Sequence, residues 1–198
     1  MGTERIDEPA LWELAREGDA TAFASLFDRH RDRVFGQALR LMRSPQDAED
    51  VTAMVFLELW RRRSSVQLVN DTIVGWLLLA TNNVAHNFSR SMRRYKAVIE
   101  RIPPSQDVDS EPFDRVDARI DGSARGRGVN SAFARLSAND QNVITLCVLE
   151  EMTLPEAAAA LGVPLGTVKS RLSRAKQRLS VLTTEELGET VIASGGVK

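Results

Sequence analysis

The chain of 198 residues has a single cysteine, Cys147, two histidines and one tyrosine, and aromatic residues make up only 6% of it. One thiol cannot close an internal disulfide, so the fold has to rest on an apolar core, and a reducing compartment is expected. Cys147 lies among Val143, Ile144, Leu146 and Leu149 and reads as a small buried hydrophobe. His30 and His86 are far apart and join no Cys or acid in ligand spacing, so no metal is expected. A glycine-rich phosphate loop and a nucleophile–base pairing are also missing, so neither an enzyme nor a cofactor is expected. Charge of one sign is not in excess: 26 Lys and Arg face 27 Asp and Glu, a formal net charge of −1. The run from Trp76 to Ala80 falls far short of the roughly 20 apolar residues that cross a bilayer, and no secretion signal is visible. The expectation is a soluble cytoplasmic protein.

What the chain does have is helical periodicity and segregated charge. Asp19 is placed to cap a long amphipathic helix carrying Phe23, Leu26, Phe27, Val34, Phe35, Ala38 and Leu39, with His30 at its boundary. Ser44, Pro45 and Asp47 announce the next helix, whose apolar stripe is Ala48, Val51, Val55 and Leu59. Asp47, Asp50 and Glu58 form an acidic strip opposite that stripe. A loop over 61–70 opens with Arg61, Arg62 and Arg63, and a further helix is predicted over 72–95. The second half of that helix exposes Asn82, Asn83, His86, Asn87, Arg90 and Arg93, amides and guanidiniums suited to base edges and a single-stranded backbone. Pro103 and Pro104 then stop helical structure. Residues 101–128 read as an Asp-, Gly- and Ser-rich linker, with a weak helical pattern at Phe113, Val116 and Ile120.

The second unit begins at Val129. Ser137 with Asp140 and Thr153 with Glu156 supply two helix starts, and Gly162 and Pro164 punctuate a tight turn. From Leu165 to Leu182 there are five basic residues and no acid. Val168, Leu172, Ala175 and Leu179 form the inward face of this helix. Short helix, turn and basic helix make a helix-turn-helix, and Gly166 beside Thr167 leaves room for a phosphate backbone. The organisation predicted is all-α: a lead-in over 1–19, loose to residue 10 and then a short helix from Leu11 to Arg16 broken at Gly18, a helical domain over 20–100, a flexible linker over 101–128, a helix-turn-helix domain over 129–182 and a tail over 183–198.

The segment Gly162–Leu172 followed by Arg174 and Ala175 resembles the C-terminal DNA-binding domain of bacterial sigma factors, most of all the extracytoplasmic-function group of the sigma-70 family. LuxR-type regulators carry a related helix-turn-helix, and a stand-alone regulator of that type is the alternative. The N-terminal half favours the sigma reading through the segment from Asp47 to Trp60 and through Trp76-Leu77 followed by Ala80 to Asn87.

The resemblance implies a promoter-specificity subunit that binds core RNA polymerase, reads the −35 element as duplex and the −10 element as opened DNA. Thr167, Lys169, Ser170, Arg171, Arg174 and Lys176 would contact the −35 element. Arg61, Arg62, Arg63, Asn82, Asn83, His86, Asn87, Arg90 and Arg93 would serve the −10 element, the loop over 61–70 capturing a flipped base. Asp47, Asp50, Met54, Phe56, Glu58, Leu59 and Trp60 would dock on polymerase. An anti-sigma factor, membrane-anchored in many members, and a monomeric free state are also implied. The chain departs from the family pattern in three places. Ala53 and Met54 stand where a Gln and an acid are usual, Asn82 where Arg is usual, and Asn87 where Asp is usual.

Overall fold

A computed structural model describes residues 7–99 and 124–194, with side chains over 7–95 and 126–187. The described residues form helices α1 (Glu8–Glu17), α2 (Ala20–Met42), α3 (Pro45–Arg62), α4 (Val74–Ile99), α5 (Ala124–Arg135), α6 (Ala138–Ile144), α7 (Leu154–Leu161) and α8 (Leu165–Ser194). Helix α6 runs on into a π-helical turn over Thr145–Leu149. No strand occurs among the described residues.

The helix ends follow local chemistry. Asp19 accepts from the N–H groups of Thr21 and Ala22, Ser44 from Asp47, and Ser137 from Asp140. Thr153 and Glu156 form a reciprocal capping box on α7, and Gly162, at φ 62°, ends it in the left-handed region. One core joins α1 to α4 through Trp12, Leu26, Val34, Val51, Val55, Leu59, Ile73 and Leu77. A second joins α5 to α8 through Phe133, Leu136, Val143, Ile144, Leu146, Val168 and Ala175, and Leu41 and Leu79 of the first half pack against it. The two helical halves therefore touch directly, α5 on α2 and α6 and α7 on α4.

Four expectations need correction. The lead-in belongs to the first helical unit: the short helix expected from Leu11 to Arg16 forms, ends at Gly18 as expected, starts earlier at Glu8, and buries Leu11, Trp12 and Ala15 in the first core. His30 is not a boundary residue: it is 4% exposed and paired with Glu8. The tail is not separate either, since α8 continues to Ser194 and Arg135 holds Glu185 and Glu186 at 3.4 and 3.1 Å. Residues 124–128, assigned to the linker, are the first turns of α5. The weak pattern at Phe113, Val116 and Ile120 lies outside the described residues.

Candidate nucleic-acid interface

Helix α8 begins after the turn at Gly162–Pro164 and fastens itself with Val168 and Ala175, both fully buried. Those anchors turn Lys169, Ser170, Arg174 and Lys176 to solvent and leave Thr167 and Arg171 half-exposed. No carboxylate pairs with Lys169, Arg171, Arg174 or Lys176 among the described residues, so their charge is available to an outside anion. Arg178 differs: its Nη1 sits 2.6 Å from Asp140 Oδ2, and Asp140 is 5% exposed. That ion pair ties α8 to α6 and removes Arg178 from the free basic face. A free cationic stripe on a helix whose neighbours carry the acids favours a polyanion along it.

The second surface is a groove of about 840 Å³ between α3 and α4. It brings together Met54, Glu58, Arg61, Arg62, Asn83 and Asn87 from the predicted set, on a floor that includes Trp76, Val84, Phe88 and Met92. Arg61 and Arg62 stand exposed at one side, Arg62 paired with Glu58. His86, Arg90 and Arg93 are exposed farther along α4. Apolar and aromatic groups beside amides and guanidiniums can stack and hydrogen-bond unpaired bases.

Other predicted residues lie elsewhere. Arg63 stacks over the Trp60 ring at 4.3 Å and donates from Nη1 to Trp60 O at 2.8 Å. It is an internal cation–π partner rather than a free phosphate ligand. Phe56 and Leu59 are 4% and 0% exposed, and Trp60 lies edge-on to Phe23 at 5.0 Å. These three support α3 from inside instead of meeting a partner. Its outward face is Glu49, Asp50, Ala53, Met54 and Leu57, with Asp47 half-buried at the start. Leu57, 48% exposed, was missed by the sequence reading. Its position outside the apolar stripe is the signal that could have found it.

Asn82 is the largest correction. It is fully buried, and it bonds to the other half of the molecule rather than facing a strand. Its Oδ1 accepts from Gln37 Nε2 at 2.7 Å, and its Nδ2 donates to Asn142 Oδ1 at 2.8 Å and to Thr145 Oγ1 at 3.2 Å. Gln37 Nε2 also reaches Thr145 Oγ1 at 3.1 Å, so all four side chains form one buried cluster. The π-helical turn delivers Thr145 into this cluster and then Glu150, whose carboxylate lies 3.4 Å from Arg33 on α2. Asn83, one residue on, points to solvent.

A third polar cluster surrounds Glu8. Its Oε1 lies 3.0 Å from His30 Nε2 and accepts from Thr72 Oγ1 at 2.8 Å and from the Ile73 N–H at 2.9 Å. Burial pushes this carboxyl up, but the bonds from His30, Ile73 and Thr72 together with the His30 charge outweigh it, holding the pKa at about 2. Burial pushes the Cys147 thiol up, against the Lys176 charge, so it is not an activated thiolate.

Comparison with known proteins gives the family of each half. Residues 26–95 match the model of Sigma-70 region 2, and residues 128–179 match that of Sigma-70, region 4. The chain is 32% identical over 200 residues to ECF RNA polymerase sigma factor SigE of Mycolicibacterium smegmatis, covering 94% of this chain and 73% of that protein. It is 28% identical over 171 residues to ECF RNA polymerase sigma factor SigK of Mycobacterium sp. (strain KMS), covering 84% and 85%. Among solved structures, CnrH in complex with the cytosolic domain of CnrY shares the fold at a TM-score of 0.58 and 22% identity, covering 90% of this chain and 98% of that one. Sigma factor RpoE in complex with the anti-sigma factor NepR from Bartonella quintana does so at 0.52 and 22%, covering 82% and 96%. The region 2 match across the N-terminal half disfavours a stand-alone LuxR-type regulator. By these matches the chain belongs to the extracytoplasmic-function group of the sigma-70 family, the promoter-specificity subunits of bacterial RNA polymerase.

Proposed function

We propose a residue-level division of labour for this sigma factor. The exposed cations of α8 read the −35 element as duplex. Lys169, Arg171, Arg174 and Lys176 neutralise phosphates, while Thr167 and Ser170 at the start of the helix reach base edges. The groove between α3 and α4, with Asn83, Asn87, Arg61 and Arg62, holds the opened −10 strand, and His86, Arg90 and Arg93 carry its backbone onward. The loop from Ser64 to Thr72 belongs to the same surface. Asp50, Met54, Leu57 and Glu58 on α3 form the polymerase-docking face, with Asp47 at its edge.

The observation that carries this reading is the unpaired basic face of α8, on the opposite half of the chain from a groove of mixed aromatic, amide and guanidinium character. Two DNA-reading units on one chain make the spacing of their elements part of the specificity. Helices α1 to α4 form the first functional unit and α5 to α8 the second, the residues between them serving as the connection. The protein acts in the cytoplasm and catalyses nothing itself. It is a monomer when free, and an anti-sigma factor restrains it. Support for that partner comes from a solved structure of the same fold, the sigma factor RpoE of Bartonella quintana, which is in complex with the anti-sigma factor NepR.

The test is a two-part binding measurement. Purified protein with Lys169→Ala and Arg171→Ala should lose affinity for a −35 duplex and retain core polymerase. Asp50→Lys should do the reverse. If each variant impaired both activities equally, the division would be wrong.

A further inference from the structure

The loop between α3 and α4 is tied at both ends to helix α1, and its tip is wound into an uncommon backbone conformation. At its start, Arg16 Nη2 reaches Ser64 O at 3.5 Å. At its end, Glu8 Oε1 holds both Thr72 Oγ1 and the Ile73 N–H, and His30 steadies the carboxylate from behind. Between these ties Val66 is 3% exposed and Leu68 packs on the first core. Val69 and Thr72 exchange backbone hydrogen bonds of 3.1 and 3.4 Å, closing a tight turn over Asn70 and Asp71.

Both central residues of that turn have positive φ, 56° and 58°. This is the mark of a type I′ turn, which favours glycine at its second position. Here Asp71 takes that place. A chain holds non-glycine residues in the left-handed region only where its surroundings over-determine the conformation, and such strain gathers at functional segments. The rim that the turn sets out carries Ser64, Ser65, Gln67, Asn70 and Asp71, all exposed and all able to hydrogen-bond.

The geometry points to Glu8 as a positioning residue for −10 element selection: by fastening the end of this loop to α1, it fixes the backbone that presents Gln67, Asn70 and Asp71 to the opened strand. This rests on the proposed reading of the loop as part of the −10 surface. Glu8 touches no DNA itself, since its side chain is 12% exposed beneath the loop. A carboxylate suits the task because it is an acceptor only, and one oxygen can serve a hydroxyl, an imidazole and a backbone N–H together. It also lies at the N-terminal end of α4, taking the N–H of Ile73 just before the helix, where negative charge is favoured.

The experiment is run-off transcription with core polymerase on templates having a fixed −35 element and a randomised −10 element. The full chain is compared with Glu8→Ala, Glu8→Gln, Gln67→Ala and Asn70→Ala. Loss of a charge-assisted hydrogen-bonding centre should shift the base preference of Glu8→Ala by about tenfold at one or more positions. Affinity for −35 duplex should stay within about twofold, and Glu8→Gln should recover part of the preference, because it keeps one acceptor. If Gln67→Ala or Asn70→Ala altered the preference and Glu8→Ala did not, the loop would read DNA without Glu8 positioning it, and the inference would fall. If no variant altered it, the loop reading itself would fall and take the inference with it. A uniform drop in transcription at unchanged preference would show a purely structural role and overturn the inference. Should Glu8→Ala lose its helical circular dichroism, Glu8→Gln and Thr72→Val carry the test, with a smaller shift in the same readout and the same refuting result.

Discussion

Replacing Asn82 with alanine should part the two halves of the molecule. Asn82 is fully buried and makes three hydrogen bonds, to Gln37, Asn142 and Thr145. Truncation leaves Gln37 Nε2 with its longer bond to Thr145 and strands Asn142 Oδ1 in a dry contact. A buried polar group left without a partner costs about 1–3 kcal/mol, so the stranded Asn142 acceptor amounts to roughly 2 kcal/mol, the middle of that range. In the separated state the same side chains face water and the truncation is close to neutral. The whole cost therefore falls on the packed state, and about 2 kcal/mol shifts the balance between packed and separated forms roughly 30-fold. Small-angle scattering of the free protein reads this as a rise in radius of gyration. Asn142→Ala should act in the same direction, and the double variant should fall short of the sum, because both changes remove the same bond. Asn82→Arg, which installs the residue more usual in the family, should open the molecule further because no space for a guanidinium exists there. An unchanged radius of gyration in all of these variants would refute the reasoning.

Further outcomes follow from the other surfaces. Lys169→Ala and Arg171→Ala should each weaken −35 duplex binding and lower the slope of log affinity against log salt by about one, measured by fluorescence anisotropy across salt concentrations. Asp50→Lys and Leu57→Arg should weaken association with core polymerase in a pull-down or interferometry assay while leaving duplex binding intact. Glu8 has a folded pKa of about 2 against an ordinary 4.5, so its contribution to stability is fully present above about pH 5 and fades as the pH falls toward 2. Urea melts at pH 7 and pH 3 should show Glu8→Gln losing much less stability on acidification than the parent chain.

Much of this organisation was legible in the sequence because it is written locally. Asp19, Ser44, Ser137 and Thr153 cap the helices for which their spacing suits them, and Gly162 ends α7 in the left-handed turn that its flexibility permits. The inward positions Val168 and Ala175 on α8 follow from helical period alone. What escaped the sequence is tertiary. Glu8 and His30 look like surface residues until α1 folds across α2 and brings together two side chains 22 positions apart. Asn82 has the composition of a DNA contact, and only the packing of α6 on α4 turns it into an interface residue. Phe56 and Leu59 of the implied docking set lie on the buried side of α3, Leu59 within its apolar stripe, and Arg63 of the arginine run stacks on Trp60. Amide and guanidinium side chains serve protein and nucleic acid equally well, so their identity alone does not choose between the two.

The central claim is that this chain directs core RNA polymerase to promoters through α8 and the surface formed by α3 and α4. Run-off transcription from a library of genomic fragments, with purified core polymerase in the presence and absence of the protein, tests it most directly. Discrete new transcripts should appear only with the protein, sharing two upstream sequence elements at a fixed spacing, and the Lys169→Ala, Arg171→Ala double variant should abolish them. Tight binding of the protein alone to fragments with no new transcript would contradict the account.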